Sequence, residues 1–242
     1  MFIKNLKLFN FKNHSEKSFD FSPEINCFVG NNGAGKTNIL DALHYLSMAK
    51  SFLGNLDAQN ILHESDFFAI EAEIQGEEKN DIIKVQLPKE GKKIIKKNDK
   101  TYERIADHIG FLPSVMISPY DSNLISDGSE SRRKFLDAMI SQTDSDYLFA
   151  LIQYQKTLQQ RNALLKYFAK NRTFDLDSLE IYNEPLTKFG TQIFEKRQRF
   201  VASILPTIQH FYEIISKGNE KVTVIYESNL NEQNFEEILS EN

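Results

Sequence analysis

One stretch of eight residues restricts this chain more than any other: Gly30-Asn31-Asn32-Gly33-Ala34-Gly35-Lys36-Thr37. It fits G-x-x-x-x-G-K-[ST], a phosphate-binding loop, provided a strand precedes it and a helix follows. Both flanks comply. Ile25-Asn26-Cys27-Phe28-Val29 is a short apolar run that stops at Gly30 and suits a buried strand. Ile39, Leu40, Leu43 and Leu46 then recur at the spacing of a helix starting near Lys36. The glycines let the backbone wrap a phosphate with its N–H groups turned inward. The helix N-terminus adds the positive end of its dipole. Gly30, Asn31, Asn32, Gly33, Ala34, Gly35, Lys36, Thr37 and Asn38 are therefore the candidate nucleotide-binding residues. Lys36 would reach the outer phosphates of ATP, and the Thr37 hydroxyl would ligate Mg²⁺. The plainer reading is a glycine-rich turn before a helix.

A phosphate loop does not hydrolyse ATP by itself. It needs an acid at the end of a neighbouring apolar strand and a group that positions the attacking water. Val115 to Asp121 ends in an acid, but Ser118 and Pro119 interrupt it; Val222 to Glu227 ends in an acid, but Thr223 and Tyr226 dilute it. Each also reads as an ordinary strand end. No catalytic residue is identifiable.

Around the loop the pattern is α/β. Residues 68–75 and 81–87 alternate as strands, Ile94-Ile95 adds another, and Gly91 supplies a turn, giving an antiparallel N-terminal meander. Leu112 to Ile117 is a second buried-strand candidate. After Pro119 the pattern turns helical over 129–143, 145–170 and 185–216. Pro185 suits a first turn. Pro206 should kink or end its helix. A return strand, Val222 to Tyr226, and a short acidic helix over 231–240 follow. The divisions expected are 1–122 for the nucleotide-binding part, 123–217 for a helical lobe, and 218–242 for the return strand and helix.

Charge bears on partners. The chain has 29 Lys or Arg against 34 Asp or Glu, a net −5. Binding to nucleic acid must then come from local patches. Lys92, Lys93, Lys96, Lys97 and Lys100 form one such patch, which reads either as a phosphate-contacting rim or as a solvated hairpin face. Arg132, Arg133 and Lys134 are open to the same two readings. The lone Cys27 excludes an internal disulfide and suits a reducing cytoplasm. No apolar run reaches the roughly 20 residues of a membrane span. The five His lack metal-ligand spacing and read as structural.

From Phe9 onward the residues resemble the RecF family of bacterial repair ATPases, related to ABC-type and SMC heads. The likeness rests on a collinear set: Phe11-Lys12-Asn13-His14, the loop with Thr37 to Ala42, Leu46 to Phe52, Ile117-Ser118-Pro119, Arg132 to Asp137, and Gln160 to Lys166. The resemblance implies an ABC-type P-loop ATPase head, a mixed sheet around the P-loop helix with an inserted helical lobe. It implies ATP and Mg²⁺ as cofactors, ATP-dependent homodimerisation, DNA binding at single-stranded gaps, and recombinase loading with RecO and RecR. It also implies that Lys12 and Asn13 approach the nucleotide; for Lys12 a solvated lysine after a strand is the other reading. Two positions depart from the family pattern: Leu53, where many members have Arg, and Tyr120, where many have Glu. The Walker B acids, signature, D-loop and switch of the family have no match here, so the chain resembles the front two-thirds of a member. A small-molecule kinase, or a fragment that binds without hydrolysing, is the alternative.

Overall fold

The computed structural model describes residues 1–54 and 56–241, without the side chains of residues 240 and 241. The chain divides into two compact units, Met1–Ile125 and Ser126–Asn242.

The first unit is one six-stranded sheet backed by a helix. The strands are β1 Phe2–Phe11, β2 His14–Asp20, β3 Phe67–Gln75, β4 Asn80–Pro88, β5 Ile94–Lys97 and β6 Lys100–Thr101. Their order is β2-β1-β3-β4-β5-β6, with every neighbour antiparallel. Alternation explains the inner face. Phe68, Ile70, Ala72 and Ile74 of β3 face the core with Ile83, Val85 and Leu87 of β4 and Leu6 and Leu8 of β1. Helix α1, Lys36–Met48, covers them with Ile39, Ala42, Tyr45 and Leu46. Burying each Leu, Ile or Phe here is worth about 1.5–3 kcal/mol. The outer face is polar and pairs its own charges: Lys4 with Glu73, Lys7 with Glu71, and Lys84 with both Glu71 and Asp99.

The second unit is helical. After a short turn α2, Asn123–Ser126, come α3 Ser129–Ser141, α4 Ser145–Asn171, α5 Leu176–Ser216 and α6 Phe235–Glu241. Helices α4 and α5 form an antiparallel hairpin around Ile140, Tyr147, Ala150 and Ile193. Its turn uses Arg172 in the left-handed region, φ 54°, and Asp175 as N-cap. Bonds tie the helices along the pair. Arg161 Nε donates to Asn183 Oδ1 at 3.0 Å. Lys196 Nζ donates to the Asp144 carboxylate at 2.6 Å.

Four expectations change. The run Ile25–Val29 belongs to no strand, with Ile25 85% and Val29 93% exposed. Val115 and Ile117 are likewise unpaired and exposed. An apolar run specifies a strand only where a partner supplies the ladder bonds, and among the described residues none does. Residues 222–226 run as irregular chain held by Gln209, whose Nε2 donates to Val222 O at 3.3 Å. Pro185 does not open its helix, and of the two outcomes expected at Pro206 the early end does not occur. α5 starts nine residues before Pro185 and runs ten past Pro206. Each proline removes one helical bond, orphaning the carbonyls of Ile181 and Ala202. Both residues are exposed, so water can satisfy those carbonyls while packing on α4 holds the helix.

Candidate nucleotide-binding site

The loop between Gly30 and Lys36 bends through two left-handed glycines, Gly33 at φ 81° and Gly35 at φ 90°. A Cβ on Gly35 would stand 2.6 Å from Asn13 Oδ1 and from the His14 ring. No such atom crowds Gly33, which faces open space. The glycines thus do different work: Gly33 provides the turn, Gly35 both the turn and a close approach.

Gly35 is also the N-cap of α1, where no side chain caps and no acid occupies the first turn. Side-chain caps occur at some other helix starts, where Asp144 accepts from Tyr147 N at 2.9 Å and Ser118 accepts from Tyr120 N at 3.2 Å, while α3 and α5, like α1, have none. The bare start of α1 leaves first-turn N–H groups and a positive dipole end for an anion. The donor set therefore fits a phosphate chain, and the Thr37 hydroxyl is exposed at this end for a hard cation.

The carbonyls of the loop are turned to donors. Lys36 Nζ donates to Gly30 O at 2.6 Å and to Asn31 O at 2.8 Å. Asn13 Nδ2 donates to Gly33 O at 3.1 Å, and its Oδ1 accepts from Asn38 Nδ2 at 2.8 Å. His14 Nε2 lies 3.2 Å from Gly35 O. So the turn between β1 and β2 brings Asn13 onto the loop. Lys12, in the left-handed region at φ 53°, points its ammonium at Asp41, 2.5 Å away. Asp41 is fully buried in α1 and also accepts from Ser51 Oγ and Phe52 N, each at 2.7 Å.

Two residues here lie outside the phosphate-loop motif, though inside the segments that carry the family resemblance: His14, read as structural, and Asp41. Helical spacing offered one hint, since Asn38, Asp41 and Tyr45 share a face of α1. The third, Tyr45, donates to Asp57 at 2.7 Å. Burial and that carboxylate push its phenol far above its usual pKa.

The acids considered for a metal are elsewhere. Asp121 closes a capping box, accepting from Ser118 N at 3.1 Å and Ser118 Oγ at 3.0 Å. Glu227 is exposed in the second unit. Among the described residues no group of three or more His, Cys, Asp or Glu gathers as a metal site. The hairpin lysines split. Lys93 donates to Asp57 at 2.6 Å and to Ala49 O, beneath the Tyr45 ring. Lys97 pairs with Asp81 at 3.1 Å over the Phe111 ring. Both are therefore built into the unit, unlike the exposed Lys92 and Lys100.

The loop sequence and the helix that it opens place the chain among P-loop proteins, although residues 25–29 before the loop form no strand among the described residues. The family model described as "AAA domain" matches residues 5–241. The chain is similar to "DNA replication and repair protein RecF" of Flavobacterium johnsoniae, 51% identical over 242 residues, covering 100% of this chain and 67% of that protein. The protein of the same name from Phocaeicola vulgatus is 46% identical over 231 residues, 94% of this chain and 61% of that protein. A solved chain described as "Structure of the recombination mediator protein RecF-ATP in RecFOR pathway" superposes with TM-score 0.89 at 30% identity, over 99% of this chain and 66% of that one. This chain belongs to the RecF family, and spans about two thirds of the length of these relatives. Among the described residues no helix is long and apolar enough to cross a membrane.

Proposed function

We propose that this chain carries the ATP-binding part of a DNA replication and recombination-repair protein. The observation that carries the reading is the loop itself: left-handed glycines, an uncapped helix start and a lysine, with carbonyls met by side-chain donors. Lys36 and the first-turn amides would hold the phosphates, and Thr37 the Mg²⁺. Asn13 shapes the loop through Gly33 O, and Lys12 is held by Asp41 of the helix that follows. The likeness to RecF proteins supports the rest: ATP-dependent pairing of two copies, binding to gapped DNA, and action with RecO- and RecR-type mediators in the cytoplasm. No acid of this chain is assigned to hydrolysis.

ATP titration of the 242-residue chain against Lys36→Ala tests the core of this. Wild type should bind with Mg²⁺ present, and the variant should lose at least tenfold in affinity. The loss of one charge-assisted contact, about 1.5–3 kcal/mol, sets that floor. Equal affinities would end the assignment. Gapped DNA added to the ATP-bound chain, followed by sedimentation, tests DNA binding and pairing.

A further inference from the structure

Four carbonyls of the loop, Gly30, Asn31, Gly33 and Gly35, meet side-chain donors. Two of the four depend on Lys36, the residue that has to turn to phosphate. Once Lys36 does so, Gly30 O and Asn31 O lose it. The side chains that stay are Asn13 on Gly33 O and His14 on Gly35 O.

The His14 contact is a built one. His14 is 5% exposed, at the first position of β2 and in register with Phe11. Its ring stands edge-on to Phe19 at 6.3 Å. It also lies where a Cβ of Gly35 would be. The ring is therefore fixed by the strand and by Phe19 before any ligand arrives. It meets the loop at the N-cap residue of α1, whose carbonyl also accepts from Ile39 N at 3.1 Å. Nε2 carries a proton in one neutral tautomer and in the imidazolium, and either form can donate to Gly35 O.

We propose that His14 is a positioning residue for phosphate binding: by donating to Gly35 O it holds Gly35 left-handed and keeps the first-turn N–H groups of α1 aimed outward. This rests on the ATP-binding reading above. His14 does not touch the ligand and acts only through the backbone of Gly35. Its contribution therefore belongs to the phosphates alone, not to base or ribose.

The test uses the whole 242-residue chain, with His14→Phe and His14→Gln. Phenylalanine keeps the ring against Phe19 and removes the donor; glutamine keeps a donor at similar reach. Affinities are measured for ATP and for inorganic tripolyphosphate, with thermal unfolding alongside. His14→Phe should bind both ligands about tenfold more weakly, the size of one hydrogen bond lost in a preorganised site. His14→Gln should recover most of that for both. Wild-type affinity in a folded His14→Phe overturns the proposal, as does a loss confined to ATP, or a His14→Gln as weak as the Phe variant. Should His14→Phe fail to fold, His14→Asn, too short to reach Gly35 O, is read by the same criteria. Lys36→Ala separates the two levels: if it binds tripolyphosphate like wild type, the loop is not the site. If it fails to bind while His14→Phe is normal, only the positioning role falls.

Discussion

Individual residues in the first unit show how closely polar chemistry is tied to the backbone. His108 is fully buried, its Nε2 2.6 Å from Leu46 O and its ring between Tyr102 and Phe111. Its Nδ1 has no partner among the described residues. Burial pushes its pKa below the usual imidazole value, against the pull of the Leu46 carbonyl, and Lys97 lowers it further. Burial does the same to His44. A depressed folded pKa means that the unfolded chain takes up protons first as pH falls. Stability is therefore full above about pH 6.5, the unfolded value, and declines as pH drops below it toward the folded pKa. Urea midpoints measured from pH 7.5 to 5.5 should fall; His108→Gln should flatten that slope, with His44 leaving a remainder. A midpoint independent of pH over this range would show that neither ring is kept neutral. The motif itself was legible residue by residue, because its chemistry is local. The Lys12–Asp41 pair was not: the partners are far apart in sequence and meet only after β1 and α1 pack.

Elements were legible where a residue's neighbours carry the pattern. The alternation in β3 and β4 reads directly off residues 68–75 and 81–87, since one face is buried and the other solvated. Ile25–Val29 shows the limit, because apolarity records a tendency to be covered and says nothing of the partner. The start of α5 was hidden by Pro185, whose local preference for a first turn was outweighed by packing along α4. That packing includes a polar lock whose two charged side chains are 13% and 15% exposed. Arg197 meets both oxygens of Asp137 at 2.7 and 2.9 Å, and Tyr147 donates to the same carboxylate. Burial works against the Arg197 charge, but Tyr147, Tyr226 and Asp137 raise its pKa well above normal. Arg197→Met should destabilise the second unit by about 2–3 kcal/mol, because the half-buried Asp137 is left with Tyr147 alone as partner. Asp137→Leu added to Arg197→Met should recover much of this in denaturant titrations. Asp144→Ala should cost about 1–2 kcal/mol through its cap on Tyr147 N. A loss under 0.5 kcal/mol for Arg197→Met would show that the lock is hydrated rather than buried.

At the scale of the whole chain, the question is where a net −5 protein would meet DNA. The outer sheet face spends its lysines on its own carboxylates, and Lys93 and Lys97 are structural. The exposed start of α3 offers Arg132 and Arg133, whose guanidinium groups donate to Asp127 O and Ser129 Oγ. If these contact DNA, Arg132→Ala with Arg133→Ala should reduce the slope of log affinity against log salt by about 1.4 to 1.8, two phosphates' worth. Lys93→Ala should instead lower the melting temperature, with the slope unchanged. The opposite pattern would return the contact to the hairpin. Composition showed that any patch must be local; which lysines were already paired was visible only in the fold.

The grip of Lys36 on Gly30 O and Asn31 O has a thermodynamic consequence. A loop held by its own lysine is ordered before any ligand arrives, so phosphate entry exchanges one set of partners for another. Little chain freedom remains to be lost, and the bonds broken at the carbonyls offset those gained at the phosphate. Calorimetry should therefore find a modest binding enthalpy and a small entropic penalty. Removing the lysine would take its donor from Gly30 O and leave Asn31 O with only Ala34 N, at 3.2 Å, so Lys36→Ala changes the starting loop as well as the contact to the ligand.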